Sequence, residues 1–147
     1  MIDGPSLTDW LWLQAQCWLA TCYAEGWGVA PDQVEAANLY AKSARRGYAR
    51  AQNNLAVCYA DGRGRAQDCT EAVRWWKTAA SLGDATALTW LGVVHATGWG
   101  AVPIDEMVAE GYFTEAAGKG DVDAQVWLVD LQARRGGGDE LSVVEIV

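Results

Sequence analysis

Residues 51–83 read AQNNLAVCYADGRGRAQDCTEAVRWWKTAASLG, and this stretch recurs in altered form on either side of itself. Shifted back by 36, Ala51, Leu55, Tyr59, Gly62, Gly64, Ala72, Ala80 and Gly83 fall on Ala15, Leu19, Tyr23, Gly26, Gly28, Ala36, Ala44 and Gly47. Shifted forward by 36, Leu55, Gly62 and Gly64 fall on Leu91, Gly98 and Gly100. One inserted residue then moves the register to 37, and Ala72, Ala80 and Gly83 fall on Ala109, Ala117 and Gly120. A fixed period in this range marks stacked repeats, each one a supersecondary unit that cannot bury its apolar face alone.

Each copy reads as a helix, a glycine break and a second helix. Ser6-Leu7-Thr8-Asp9 resembles a capping box with Asp in place of the usual Glu or Gln, and predicts a first helix running to about Glu25. Where the other copies turn at Gly47 or Gly83, this one has Leu11, so the first helix is lengthened at its front and 1–14 reads as an N-terminal cap. Gly26-Trp27-Gly28 breaks it, and the next helix is expected from Pro31-Asp32 to about Arg46. The second copy predicts helices over about 49–60 and 68–82, and the third over about 84–96 and 105–118. A last helix is expected over about 121–134, giving seven in all and no internal strand. The repeats run over about 15–50, 51–86 and 87–123, with a half repeat at 124–135, as one domain over 1–135. Gly136-Gly137-Gly138 then reads as a flexible joint ahead of an apolar tail, Leu141–Val147. That tail has three readings open to it: a cap on the last repeat, self-association, or a peptide ligand for another domain.

Composition narrows the function. The chain is 51% hydrophobic and 20% charged, a folded composition, with net charge −8. That balance argues against nucleic acid, which needs a basic face. The acid excess is at the ends: residues 1–41 contain no Lys or Arg, whereas 42–77 contain eight bases against three acids. No apolar run reaches the roughly 20 residues needed to span a bilayer, and the first twenty residues lack the basic start of a signal peptide. The four cysteines (Cys17, Cys22, Cys58 and Cys69) form no Cys-x-x-Cys, and Cys22 and Cys58 read as small buried residues. A reducing, cytoplasmic setting is expected. The single histidine, His95, has no companion at metal-ligand spacing, so no metal or other cofactor is expected.

The pattern Ala51, Leu55, Ala56, Tyr59, Gly62, Gly64, Ala72, Trp75, Ala79, Ala80 and Gly83 resembles the Sel-one-like repeat (SLR) family, a branch of the tetratricopeptide (TPR) superfamily. The resemblance covers about residues 15–134. It implies an all-α fold, a right-handed α-solenoid of antiparallel helix pairs. It also implies an adaptor or scaffold whose concave face, lined by the first helix of each pair, binds a protein or peptide. The concave positions so implied are Gln14, Cys17, Thr21 and Glu25; Arg50, Asn53, Val57 and Asp61; Thr86, Thr89, Val93 and Thr97; and Asp123, Val126, Asp130 and Arg134. Arg50 and Asn53 suit a partner's carboxylate or backbone. His95 departs from the family by standing at a tyrosine position.

Among the nine tryptophans, Trp12, Trp75 and Trp90 lie at core spacing and are expected to be buried. Trp27 and Trp99 each lie between two glycines, where exposure makes them candidate binding anchors. No nucleophile or phosphate motif is present. Ser6, Ser43, Ser81 and Ser142 are followed three residues on by Asp9, Arg46, Asp84 and Glu145, so Ser-x-x-Lys does not occur. Each Gly-x-Gly lacks the third glycine of a dinucleotide fingerprint. The chain is therefore expected to be non-enzymatic. A dedicated inhibitor of the toxin-neutralising immunity type is the alternative to an adaptor, and an enzyme is the remote one. Pairing of two copies through the repeat ends or the tail remains open.

Overall fold

A computed structural model describes residues 5–137 of the chain. Over these it forms seven helices and no strand: α1 (Leu7–Glu25), α2 (Gln33–Arg45), α3 (Ala49–Asp61), α4 (Cys69–Ser81), α5 (Ala85–Thr97), α6 (Glu106–Gly118) and α7 (Val122–Gly136). The helices form a repeated helix–break–helix pattern. The tail Leu141–Val147 and Gly138 lie outside the described residues; of the expected glycine joint, Gly136 instead ends α7 and Gly137 caps it, its N–H donating to the Ala133 carbonyl. Two compact units are present, Met1–Ala87 and Leu88–Val147.

The helix boundaries follow from local chemistry repeated in register. α1 opens on the expected capping box: the Ser6 side chain accepts from the Asp9 amide, and the Asp9 carboxylate accepts from the Ser6 amide. α1 runs for 19 residues, whereas α2, α3 and α4 each run for 13. The second helix of each pair begins on an aspartate N-cap. Asp32, Asp68 and Asp105 accept from the amides of Glu35, Glu71 and Val108 at 3.0–3.1 Å. Pro31 therefore stands just ahead of its helix, not inside its first turn. The same aspartates tie their backbone N–H to the carbonyls of Tyr23, Tyr59 and His95, closing each hairpin at the same place.

In the first unit, α1 packs on α2, α2 on α3 and α3 on α4. The core joins Leu13, Cys17 and Ala20 of α1 to Leu39, Tyr40 and Ala44 of α2 and to Ala51, Leu55 and Cys58 of α3. Two of its polar side chains are tied inside it: Ser43 Oγ donates to the Leu13 carbonyl, and Gln52 Nε2 to that of Ala44. The break at Gly64 also packs tightly. A Cβ there would lie 2.0 Å from the Gln33 carbonyl oxygen, so only glycine fits against the start of α2.

In the second unit, Phe113 of α6 is fully buried and stacks on Trp127 of α7 at 5.6 Å. Its ring fills the space beside Gly92 of α5, where a Cβ would come within 2.5 Å of it. Glycine thus replaces the alanine found in register at Ala20 and Ala56. His95 stacks on Tyr112 at 5.6 Å, a packing role at the tyrosine position.

The tryptophan expectations need correction. Trp12 and Trp90 are each 40% exposed, and Trp75 is half-buried. The fully buried indole belongs to Trp76, one residue along, in register with Tyr40 and Phe113. One place around the helix turns a side chain by roughly 100°, enough to move it from the pair's interior to its edge. Of the two expected buried thiols, Cys58 is buried and Cys22 only partly so.

Candidate functional site

The first unit carries a cleft along α1 and α3. Its deeper end is a cavity of about 110 Å³ lined by Ala24, Glu25, Gln33, Tyr40, Asn54, Val57, Cys58 and Arg63. A shallow depression bordered by Cys17, Trp18, Thr21, Tyr48 and Arg50 lies beside it. The two meet at a polar seam. Thr21 Oγ1 donates to the Cys17 carbonyl at 3.1 Å and is hydrogen-bonded to the Tyr40 hydroxyl at 2.9 Å. Asn54 Nδ2 reaches Cys17 Sγ at 3.8 Å.

The charged groups stand at the rim. The Arg50 guanidinium lies over the Trp18 ring, 5.5 Å from its centroid, which holds an otherwise mobile cation in place. Arg63 pairs with Asp61 at 3.4 Å, and Gln33 Nε2 donates to the Ala24 carbonyl. Glu25 supplies a carboxylate at the other wall. The rim thus offers a guanidinium, a carboxylate and an amide around an aromatic and aliphatic floor, a mixture suited to a peptide's backbone and side chains.

The cleft offers no activated nucleophile. Burial pushes the Cys58 thiol up to about 11. Burial raises the Cys17 thiol too, against the smaller opposing effect of Arg50. Both are therefore protonated near neutral pH, and a protonated thiol is a poor nucleophile and metal ligand. Burial likewise raises the Tyr40 phenol, with the Thr21 hydrogen bond opposing it less strongly. Among the described residues no cluster of three His, Cys, Asp or Glu is placed to hold a metal ion.

The structure brings Cys17, Thr21, Glu25, Arg50 and Val57 to this cleft. Asp61 stands at its edge on Arg63, and Gln14 is half-buried. Asn53 instead points inward: it is 9% exposed and its Oδ1 has no hydrogen-bond partner. Its neighbour Asn54 takes the place in the cleft. Farther along, Thr86 and Thr97 are exposed, Val93 is half-buried and Thr89 is buried. On α7, Asp123 and Val126 are exposed, and Arg134 pairs with Asp130 at 2.7 Å. Trp27 is 56% exposed and Trp99 half-buried.

Sequence reasoning missed Asn54 and Arg63, although the register contained a signal for both. Asn54 occupies the column of Trp18 and Trp90, and Arg63 the column of Trp27 and Trp99. In each column the middle copy replaces a tryptophan with a polar group. Gln33 and Tyr40 come from α2, which the concave-face rule does not consider.

A family model for the Sel1 repeat matches residues 13–48, 49–84 and 85–121. Among solved structures, the chain is similar to a protective antigen present in uropathogenic Escherichia coli strains, which displays an SLR fold. The identity is 31% and the TM-score 0.78, over 84% of this chain and 26% of that one. It is also similar to a Sel1 repeat protein from Oxalobacter formigenes, at 33% identity and a TM-score of 0.77, over 85% of this chain and 51% of that one. The chain thus spans between a quarter and about half of these neighbours' length. No curated protein matches it. Sel1 repeat proteins generally mediate protein–protein interaction and are typically non-catalytic.

Proposed function

We propose, since this chain belongs to the Sel1 repeat family, that it is a non-enzymatic adaptor or scaffold that holds a protein or peptide partner in the α1–α3 cleft. The observation that carries this reading is the polar rim on an apolar floor, with Arg50 braced on Trp18 beside a 110 Å³ recess. A cation held before the partner arrives loses less side-chain entropy on binding. Arg50 and Arg63 take a partner carboxylate, Asn54 and Glu25 its backbone or a basic group, and Val57 an apolar side chain. Trp27, more than half exposed, is the anchor at the loop edge. Thr86, and in the second unit Thr89, Val93, Thr97 and Trp99, are kept as separate candidate contacts. No helix of the described residues is long and apolar enough to cross a membrane. We place the protein in the cytoplasm, a setting that suits four unpaired thiols.

The test is affinity capture from lysate with wild type and with Arg50→Glu combined with Asn54→Ala. Asn53 is left intact because it is interior. The expected result is one dominant co-purifying protein that the double variant loses, at unchanged helical content. Undiminished capture by the double variant places the contact elsewhere and overturns the cleft. A captured partner whose own activity is lost on binding makes the protein an inhibitor, not an adaptor.

A further inference from the structure

Two charges border the α1–α3 cleft without an ionic partner. Among the described residues, neither Arg50 nor Glu25 takes part in an ion pair. Both are exposed, and both line the recesses of the first unit. Each also stands where its own helix disfavours it. Arg50 is the second residue of α3, and a cation there opposes the positive end of the helix dipole. Glu25 is the last residue of α1, where unpaired carbonyls repel a carboxylate. The next copy provides an internal comparison. Asp61, the last residue of α3, has the same conflict and relieves it by pairing with Arg63 at 3.4 Å. In register with Arg63 the first copy has Trp27, so it supplies no such cation to Glu25. The two charges therefore do nothing for the helices that carry them, and an oppositely charged pair of groups from outside would satisfy both.

We propose, resting on the cleft reading above, that the occupant is an extended peptide segment of mixed charge. It carries an acidic and a basic residue about three or four positions apart, the acid on Arg50 and the base on Glu25. The spacing follows from α1. The Arg50 guanidinium lies over Trp18, and Glu25 lies seven residues beyond Trp18. Seven residues are close to two helical turns, so the two charges share one face and stand about 10 Å apart along the helix. An extended chain rises about 3.3 Å per residue, so roughly three residues span that distance. The middle of the cleft fits what lies between the charges. The recess of about 110 Å³ beside Ala24 and Val57 takes one apolar side chain, and the Asn54 amide there suits an extended backbone. A helical partner has its own N–H and C=O groups paired and gains nothing from that amide. The other guanidiniums do not turn the cleft toward a doubly acidic ligand. Arg63 is held by Asp61, and Arg65 donates to the Tyr59 hydroxyl with its guanidinium over the same ring.

Isothermal titration of the full chain with four synthetic peptides tests this. They share an apolar residue between two charged positions, which are filled acid–base, base–acid, acid–acid or base–base. The wild type is expected to bind at least one mixed-charge peptide about 10-fold or more tighter than either like-charged one. Glu25→Arg moves the preference to the acid–acid peptide and Arg50→Glu to the base–base peptide, at unchanged helical content because both positions are exposed. The variant that combines them regains a mixed-charge preference. Equal binding of all four peptides by the wild type overturns the proposal. So does no binding up to about 1 mM, or a mixed-charge preference that survives Glu25→Arg. In lysate, a partner that is lost with Arg50→Glu and Asn54→Ala but captured undiminished by Glu25→Arg keeps the cleft and overturns the mixed-charge occupant. A partner captured undiminished by every variant overturns both.

Discussion

At the scale of single residues, the two glycines of a break serve different ends. Gly28 and Gly64 share a left-handed backbone, at φ 75° and 68°. A Cβ on Gly28 would meet nothing within 4 Å, whereas one on Gly64 would strike the Gln33 carbonyl. Gly28→Ala is expected to cost about 1–2 kcal/mol, the left-handed penalty alone. Gly64→Ala adds backbone displacement and should cost about 2–5 kcal/mol in urea unfolding. Trp76→Ala is expected to cost about 3–5 kcal/mol, since its indole is 2% exposed, and Trp27→Ala about 0.5 kcal/mol or less. Cys58 gives a pH signature. Its thiol is harder to ionise folded than unfolded, so the folded state holds the proton more tightly. That contribution is complete below the ordinary thiol value near 9 and is lost as pH rises to about 11. Melting temperature should fall over that window, and Cys58→Ala should flatten the fall. The choice between Trp75 and Trp76 was not legible, because adjacent positions fit an apolar helical pattern equally well until the partner helix fixes the rotation.

At the scale of the element, the second helices depend on their aspartate caps. Asp68→Ala removes the acceptor for the Glu71 amide and should cost about 1 kcal/mol. Asp68→Asn, which keeps the acceptor oxygen, should cost little. These starts were legible because capping is local chemistry, read within four residues. The lengthened α1 was legible for the same reason, since Leu11 stands where a turn glycine stands in the other copies.

At the scale of the whole molecule, the packed pairs α1–α2, α2–α3, α3–α4 and α6–α7 are all neighbours in sequence. Loop closure between neighbours is short, so the main refolding phase in stopped-flow should finish within milliseconds. A dominant phase of seconds would mean that distant segments must pair first. The chain has a net charge of −8, while its basic middle segment supplies Arg50 and Arg63 to the cleft rim. Partner capture that relies on these cations should weaken as salt is raised.

The sequence by itself determined the seven helices, their glycine breaks, the first capping box and the family, because each rests on contacts within one repeat. The family resemblance implied that the first helices line a concave face, and Thr21, Glu25, Arg50 and Val57, named on that ground, border the recesses of the first unit. Only the tertiary structure decided that Asn54 lines that cleft while Asn53 is interior, that α2 contributes Gln33 and Tyr40, and that the tryptophan in the core is Trp76. Those outcomes depend on the rotation of one helix against another. That rotation is set by side chains far apart in the chain, such as Phe113 filling the space left by Gly92.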